Sequence, residues 1–459
     1  MDDATTSAPG VLPGSLAPAE RAAPIAAALA TGDVATARAL VAGLPPPDLA
    51  DVMELLQPDE RVRLVQELGP AFDPEVLPEL DETVRDQLSE ALPNDVLARA
   101  VARLETDDAA YVIEGLEKAD QQEILAQIPT GDRAALERNL EYPEETAGRL
   151  MQTDFVAVPP FWSVGQVIDH MREAQDLPDS FSDIYVVDPT FRVLGSVDLS
   201  RLLRTKRDVS IDTIMEADRQ VVLATADQEA VARQFERYDL KSAPVVDASD
   251  RLVGVVTADD MVEVIEEETE EDMRRLGGVG DESVTDSVLY TVRNRFAWLF
   301  INLGTALLAS SVIKTFDATI GQMVALAVLM PIVASMGGNA ATQTMAVAVR
   351  ALATRELGRV NARRIILREA SVGLINGFVL AALLALVVYV VFGRGTLGIV
   401  IAAAMIFNLF AAALAGILIP LGLERLGFDP AVASGVFVTT VTDIVGFFAF
   451  LGLATLFLL

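Results

Sequence analysis

A chain of 459 residues and 49.1 kDa is too long for one ordinary core, and 52% hydrophobic residues beside a formal net charge of −31 exclude a uniform globule. There is no cysteine and His170 is the only histidine, which excludes disulfides, thiolate nucleophiles, Cys-zinc and iron–sulfur centres, and any two-histidine metal site built from one chain. Residues 291–459 hold six acids and eleven Lys/Arg, for +5, so the remaining −36 falls on residues 1–290.

In chain order, residues 1–18 are rich in Ala, Pro, Gly, Ser and Thr and are expected to be disordered. The start, Met1-Asp2-Asp3-Ala4, lacks the basic and apolar regions of a secretory signal. Leucine-rich amphipathic stretches over 19–142 alternate with breakers such as Leu44-Pro45-Pro46-Pro47-Asp48 and Leu92-Pro93-Asn94-Asp95, predicting an all-α superhelical N-domain. The next segment repeats itself: Ser163-Val164-Gly165-Gln166-Val167 matches Asp227-Gln228-Glu229-Ala230-Val231, and Tyr185-Val186-Val187-Asp188 matches Pro244-Val245-Val246-Asp247. Each copy reads strand, helix, strand, turn, strand, helix, so two α/β modules are expected at 143–210 and 211–262. An acidic run from Glu263 to Asp272, followed by Gly277-Gly278, predicts a charged connecting helix within 263–290.

Residues 291–459 contain five apolar stretches, near Phe296–Ile313, Ile320–Val349, Ile366–Phe392, Leu397–Leu423 and Ala431–Leu459, each long enough to span a bilayer. Pro331 and Gly337-Gly338 predict a break or kink in the second. Arg350, Arg355, Arg359, Arg363, Arg364 and Arg368 crowd the loop between the second and third, and the positive-inside rule makes that loop cytoplasmic. The expectation is a multi-pass protein of the cell (inner) membrane, in contact with lipid, with cytoplasmic N-terminal domains and the C-terminus outside.

The acidic half speaks against a nucleic-acid partner and suits divalent cations, which prefer carboxylate oxygens. Asp443 is the only acid deep within a span, where an unpartnered carboxylate is costly. Gly435, Thr439 and Asp443 share one helix face, which reads either as a pore lining or as a structural seam with a hydrogen-bonded Asp. Asn339 and Gln343 in the second span allow the same two readings, a wet cavity or a small-residue packing seam. No phosphate-binding Gly-x-x-x-x-Gly-Lys-Ser/Thr motif and no nucleophile–base pair is present, so the chain is not expected to be an enzyme, and any transport would be passive. His170 is expected to be a surface or interface residue.

The repeat resembles a tandem pair of CBS modules. In such modules Thr/Ser-x-x-Asp after the last strand often holds an adenine nucleotide. Thr257-Ala258-Asp259-Asp260 has that form, with Thr257 and Asp260 as its contacts, whereas Asp198-Leu199-Ser200-Arg201 in the first copy departs from it. At most one ATP or AMP site is expected. Tyr142-Pro143-Glu144-Glu145-Thr146-Ala147-Gly148-Arg149-Leu150-Met151, the CBS pair, the acidic linker, five spans, Gly337-Gly338-Asn339, Arg350-Ala351-Leu352-Ala353-Thr354-Arg355 and Asp429-Pro430-Ala431-Val432-Ala433-Ser434 together resemble the MgtE magnesium channel/transporter family.

That resemblance implies a homodimer with Mg²⁺ as both substrate and regulator. Asp443, Thr439 and Asn339 would hold a largely hydrated ion in the pore, and the linker would act as a plug helix. Some family members carry an asparagine where this chain has Gly435. Regulatory Mg²⁺ would fall on Asp107, Asp227, Glu229, Asp239, Asp260, Glu263, Glu271 and Asp272. A transporter of Co²⁺ or Mn²⁺ and a non-transporting membrane sensor are the alternatives.

Overall fold

The computed structural model describes residues 17–174, 177–178, 180–217, 220–279, 288–354, 356–358 and 361–458, without the side chains of 432–434. The disorder expected for residues 1–18 lies outside them up to residue 16, as do Arg355, Arg359 and the linker over 280–287. The chain divides into two units, Met1–Glu268 and Thr269–Leu459.

The first unit opens with helices α1 (Pro18–Thr31), α2 (Val34–Val41), α3 (Pro46–Glu54), α4 (Pro58–Leu68), α5 (Glu82–Ala91), α6 (Asn94–Val101), α7 (Thr106–Glu114), α8 (Lys118–Gln127) and α9 (Thr130–Glu141). The proline clusters that look like breaks serve as starts. Pro46 and Pro58 occupy first helical positions, where the missing N–H costs nothing and the fixed φ already fits. Before α4 the Glu60 carboxylate accepts from the Gln57 N–H at 3.0 Å, closing the turn. Successive helices bury Leu29, Met53, Leu64, Leu88, Leu97, Ile113 and Ile124, with Leu77 from the turn between α4 and α5, in one continuous core.

Two small mixed sheets follow. In the first, β1 (Ala157–Val158) lies parallel to β2 (Asp183–Val187), which pairs antiparallel with β3 (Val193–Asp198). Helices α10 (Val164–Glu173) and α11 (Leu199–Arg204) complete that copy. The second copy repeats the order with β4 (Val222–Leu223), α12 (Gln228–Tyr238), β5 (Ser242–Val246), β6 (Leu252–Thr257) and α13 (Ala258–Leu276). The likeness extends to details. Each middle strand carries a register shift at the same place, Val186/Val187 and Val245/Val246. In each following turn an Asp Oδ1 accepts two backbone N–H groups: Asp188 from Thr190 at 2.7 Å and Arg192 at 3.0 Å, Asp247 from Ser249 at 2.7 Å and Arg251 at 3.0 Å. Corresponding positions also meet across the pair: Arg192 bridges to Arg251, and Ser242 Oγ donates to Asp183 Oδ2 at 2.7 Å. The second copy does not stop where the repeat does. α13 continues without interruption into the acidic run, so a module boundary at 262/263 cuts a single helix.

The second unit contains α14 (Val288–Thr315), the short α15 (Asp317–Gln322), α16 (Ala325–Ala353), α17 (Ala362–Phe392), α18 (Gly395–Leu426) and α19 (Pro430–Phe457). All but α15 are long and apolar enough to cross a membrane. They differ in burial: 56% of the most apolar stretch of α18 is buried but only 6% of that of α14, so α18 is the hub of the bundle. The break expected in the second span is absent. α16 runs through Pro331 and Gly337-Gly338 as one helix. The glycine here makes room rather than unwinding the helix: a Cβ on Gly337 would collide with the Asn408 amide of α18, whose Nδ2 donates to the Val333 carbonyl at 2.7 Å. The fold class is therefore a helical N-domain, a CBS-like α/β pair and a five-helix membrane part.

Candidate functional site

In the membrane unit α19 is anchored at its start by Asp429. One carboxylate oxygen accepts from the Ala431 N–H at 2.7 Å and caps the helix, and the other accepts from Arg275 Nη1 at 2.7 Å. Arg275 also pairs with Glu271 one turn earlier on α13. Leu276 packs with Ala341 and Met345 of α16 and Ala431 and Val438 of α19. The end of the acidic helix is thus fastened to the start of the helix that carries Asp443. Farther along α19, Thr439 is exposed and Asp443 half-buried on one face. The Thr439 hydroxyl donates back to the Gly435 carbonyl at 2.8 Å, which leaves its oxygen as an outward acceptor. No hydrogen bond or ion pair engages Asp443 among the described residues. Asn339 and Gln343 are exposed on α16.

In the first unit the start of α7 faces the start of α13. Asp107 is buried, and its Oδ1 has no hydrogen-bond partner among the described residues. Burial, then the charges of Asp260, Asp108 and Glu105, holds its carboxyl well above the usual range. Burial and the charges of Asp260, Glu105 and Glu79 push Asp108 up to about 7. Partial burial and the charges of Glu79, Asp260 and Asp108 do the same for Glu263, also to about 7. Asp260 is raised by burial, against the hydrogen bonds it accepts from Thr257 Oγ1 at 2.6 Å and Thr257 N–H at 3.1 Å. One turn on, Tyr111 hydroxyl reaches Glu267 at 3.5 Å, and the buried Arg85 guanidinium lies 3.6 Å from the centre of the Tyr111 ring. Among the described residues no three Asp, Glu or His side chains converge on one bare ion.

The eight expected regulatory acids therefore separate. Asp107, Asp260 and Glu263 fall in one cluster. Asp227 and Asp239 sit at opposite ends of α12, roughly 18 Å apart at 1.5 Å per residue. Asp227 caps that helix by accepting from the Ala230 N–H at 3.1 Å, and Asp239 ends it in the left-handed region at φ 52°. Glu229 pairs with Arg233, Glu271 with Arg275, and Asp272 lies one residue beyond Glu271 on α13. Asp108, Glu79 and Arg85 are additional members that sequence reasoning missed. Asp108 directly follows Asp107 in the chain, whereas Glu79 and Arg85 carry no sequence signal that ties them to α13.

A cleft of about 300 Å³ opens between the two CBS-like copies, lined by residues including Phe155, Phe181, Tyr185, Lys241, Thr257 and Asp259. Of the expected nucleotide contacts Thr257 lines it, while Asp260 turns onto Thr257 and the acidic cluster instead.

Comparison with known proteins bears on the order of the domains. A family model described as a divalent cation transporter matches residues 330–453, the MgtE intracellular N domain matches 44–145, and the CBS domain matches 147–208 and 211–267. A magnesium transporter MgtE from Thermus thermophilus is 33% identical over 439 residues, covering 94% of this chain and 97% of that protein. One from Bacillus subtilis is 29% identical over 433 residues, covering 94% and 96%. The crystal structure of the cytosolic domain of the Mg²⁺ channel MgtE in complex with ATP is 31% identical, with a TM-score of 0.48, and covers 53% of this chain and 99% of that one. Similarity sustained through the helical domain, the CBS pair and the membrane helices means that the chain belongs to the MgtE family of divalent cation transporters, which are not enzymes.

Proposed function

We propose that the chain forms a homodimeric, passive Mg²⁺ channel of the cell membrane, gated by cytoplasmic Mg²⁺. The observation that carries this reading is Asp443, a half-buried acid midway along a membrane helix with no protein partner among the described residues. Such a group is tolerated where it faces water or a cation. Mg²⁺ dehydrates reluctantly and is commonly held through its waters. Two Asp443 carboxylates, one per subunit, would hold a hydrated ion, with the Thr439 and Asn339 oxygens touching its water shell. An ion that keeps its waters can also leave. The membrane potential supplies ~2.3 kcal/mol per charge per 100 mV, so no energy-coupling site is needed.

Gating follows from the acidic cluster. With cytoplasmic Mg²⁺ high, ions offset the repulsion among Asp107, Asp108, Asp260 and Glu263 and hold α7 against α13. Asp227, Asp239, Glu229, Glu271 and Asp272 would take hydrated ions at separate contacts. With Mg²⁺ low, the repulsion is uncompensated and the compact form gives way. Arg275 and Leu276 would transmit the change to α19. The topology is cytoplasmic N-terminal domains with the C-terminus outside. Mg²⁺ uptake by the purified full chain in liposomes, with internal Mg²⁺ varied, tests the proposal: flux should appear at low internal Mg²⁺ and fall as it rises. Absence of flux would favour a non-transporting sensor, and preference for Co²⁺ or Mn²⁺ in competition would change the substrate.

A second reading concerns the cleft. Aromatic rings for a base, Lys241 for phosphates and Thr257 and Asp259 for hydroxyls suit ATP as a modulator. Thr257→Ala should weaken ATP binding measured by calorimetry.

A further inference from the structure

The Asn408 amide is a second polar feature of the membrane interior, apart from the candidate ion ligands. It has no exposed surface and lies on α18, the most buried helix. Its Nδ2 donates to the Val333 carbonyl of α16, and its Oδ1 is buried without a hydrogen-bond partner among the described residues. Two glycines wall it. A Cβ on Gly337 of α16 would collide with the amide, and one on Gly446 of α19 would stand 2.9 Å from Nδ2. A single side chain of the hub helix therefore touches both helices that carry the candidate ligands. Gly446 lies one turn beyond Asp443, and Gly337 two residues before Asn339.

Packing alone does not account for an amide here. A leucine of similar volume would fill the space without leaving an acceptor unpaired in an apolar interior. We propose that Asn408 is a positioning residue for the ion path. Its bond to the Val333 carbonyl and its fit between Gly337 and Gly446 fix α16 against α19, and so set where Asn339 and Asp443 stand. The inference rests on the reading of Asp443 as the ion ligand.

The test measures Mg²⁺ flux against external Mg²⁺ with the full chain in liposomes. Asn408→Leu keeps the volume and removes both donor and acceptor. Its KM for Mg²⁺ should rise about tenfold, with the melting curve and the inhibition by internal Mg²⁺ unchanged. A purely structural role would lower the amount of active protein, and hence maximal flux, but leave KM where it was. Gly337→Ala attacks the same contact from the other side and should raise KM similarly. In an Asn408→Ala background, where the collision is gone, it should cost nothing further. An unchanged KM in Asn408→Leu, or additive effects in the Gly337→Ala/Asn408→Ala pair, overturns the proposal. If Asn408→Leu does not assemble, Gly446→Ala takes its place in the KM measurement: a raised KM supports the positioning role and an unchanged one overturns it. Absence of flux in the wild-type chain would instead remove the ion-path reading itself, before any variant is compared.

Discussion

In the membrane unit one carboxylate, Asp443, stands half-buried on α19 with no charge of either sign engaging it among the described residues, whereas around Asp107 in the cytosolic unit acids from separate helices press on one another. A lone acid would hold any single ion weakly, which would suit passage. The crowded acids gain from every positive charge that arrives, because each ion relieves several repulsions together. On the proposed reading the same residue type would serve transit in one place and sensing in the other, and the difference would lie in the number and spacing of its neighbours.

The contrast is broken most directly at Asp443. Asp443→Ala should lower Mg²⁺ flux by more than about 100-fold, as removal of a charged ligand would. Protection of the cytosolic unit from protease by Mg²⁺ should persist. Full uptake by this variant would end the contrast. Next in size, neutralising Asp260, Glu263, Glu271 and Asp272 together should flatten the inhibition of flux by internal Mg²⁺ while leaving competition among ions unchanged. An inhibition curve identical to wild type refutes the sensor assignment.

A smaller effect is expected at the Arg275–Asp429 pair. Arg275→Ala leaves the Asp429 cap on α19 and the Leu276 packing in place but removes the charged tie to α13, so flux at high internal Mg²⁺ should rise a fewfold. No rise would mean that the acidic helix acts on α19 by another route.

The smallest effect concerns pH. Asp108, Glu263 and Glu114 are pushed up to about 7 in the fold, from ordinary values of 3.8 and 4.5. A raised carboxyl favours the folded form while protonated, so this stabilisation is complete below about 4 and is lost as pH climbs through 7. In chelator, the cytosolic transition should melt at lower temperature at pH 8 than at pH 6, and Mg²⁺ should narrow the gap. Glu263, the most exposed of the three, contributes least. A transition indifferent to pH would show that the acids do not oppose one another.

The sequence made the charge division, the five apolar helices and the repeated α/β copy legible, because each is a local pattern or a direct repetition. The continuity of α16 was not, since the partner that explains Gly337 is Asn408, whose bond to Val333 spans 75 positions of chain. The meeting of Asp107 with Asp260 had the same obstacle. A motif shows two acids side by side, but only the fold brings α7 to α13, and Glu79 joins them with no local sign at all. Asp443 stands out as a candidate for the opposite reason: it is a single acid at depth in a span without other acids.

The contacts between the two CBS-like copies have an evolutionary and practical consequence. Asp183 and Ser242 occupy corresponding places 59 residues apart, and Arg192 and Arg251 share that offset, yet each pair meets face to face. Equivalent positions can touch each other only near a twofold axis, the geometry of an isologous dimer. The tandem therefore has the form of two identical ancestral subunits later joined end to end, and one copy expressed alone should still seek its twin.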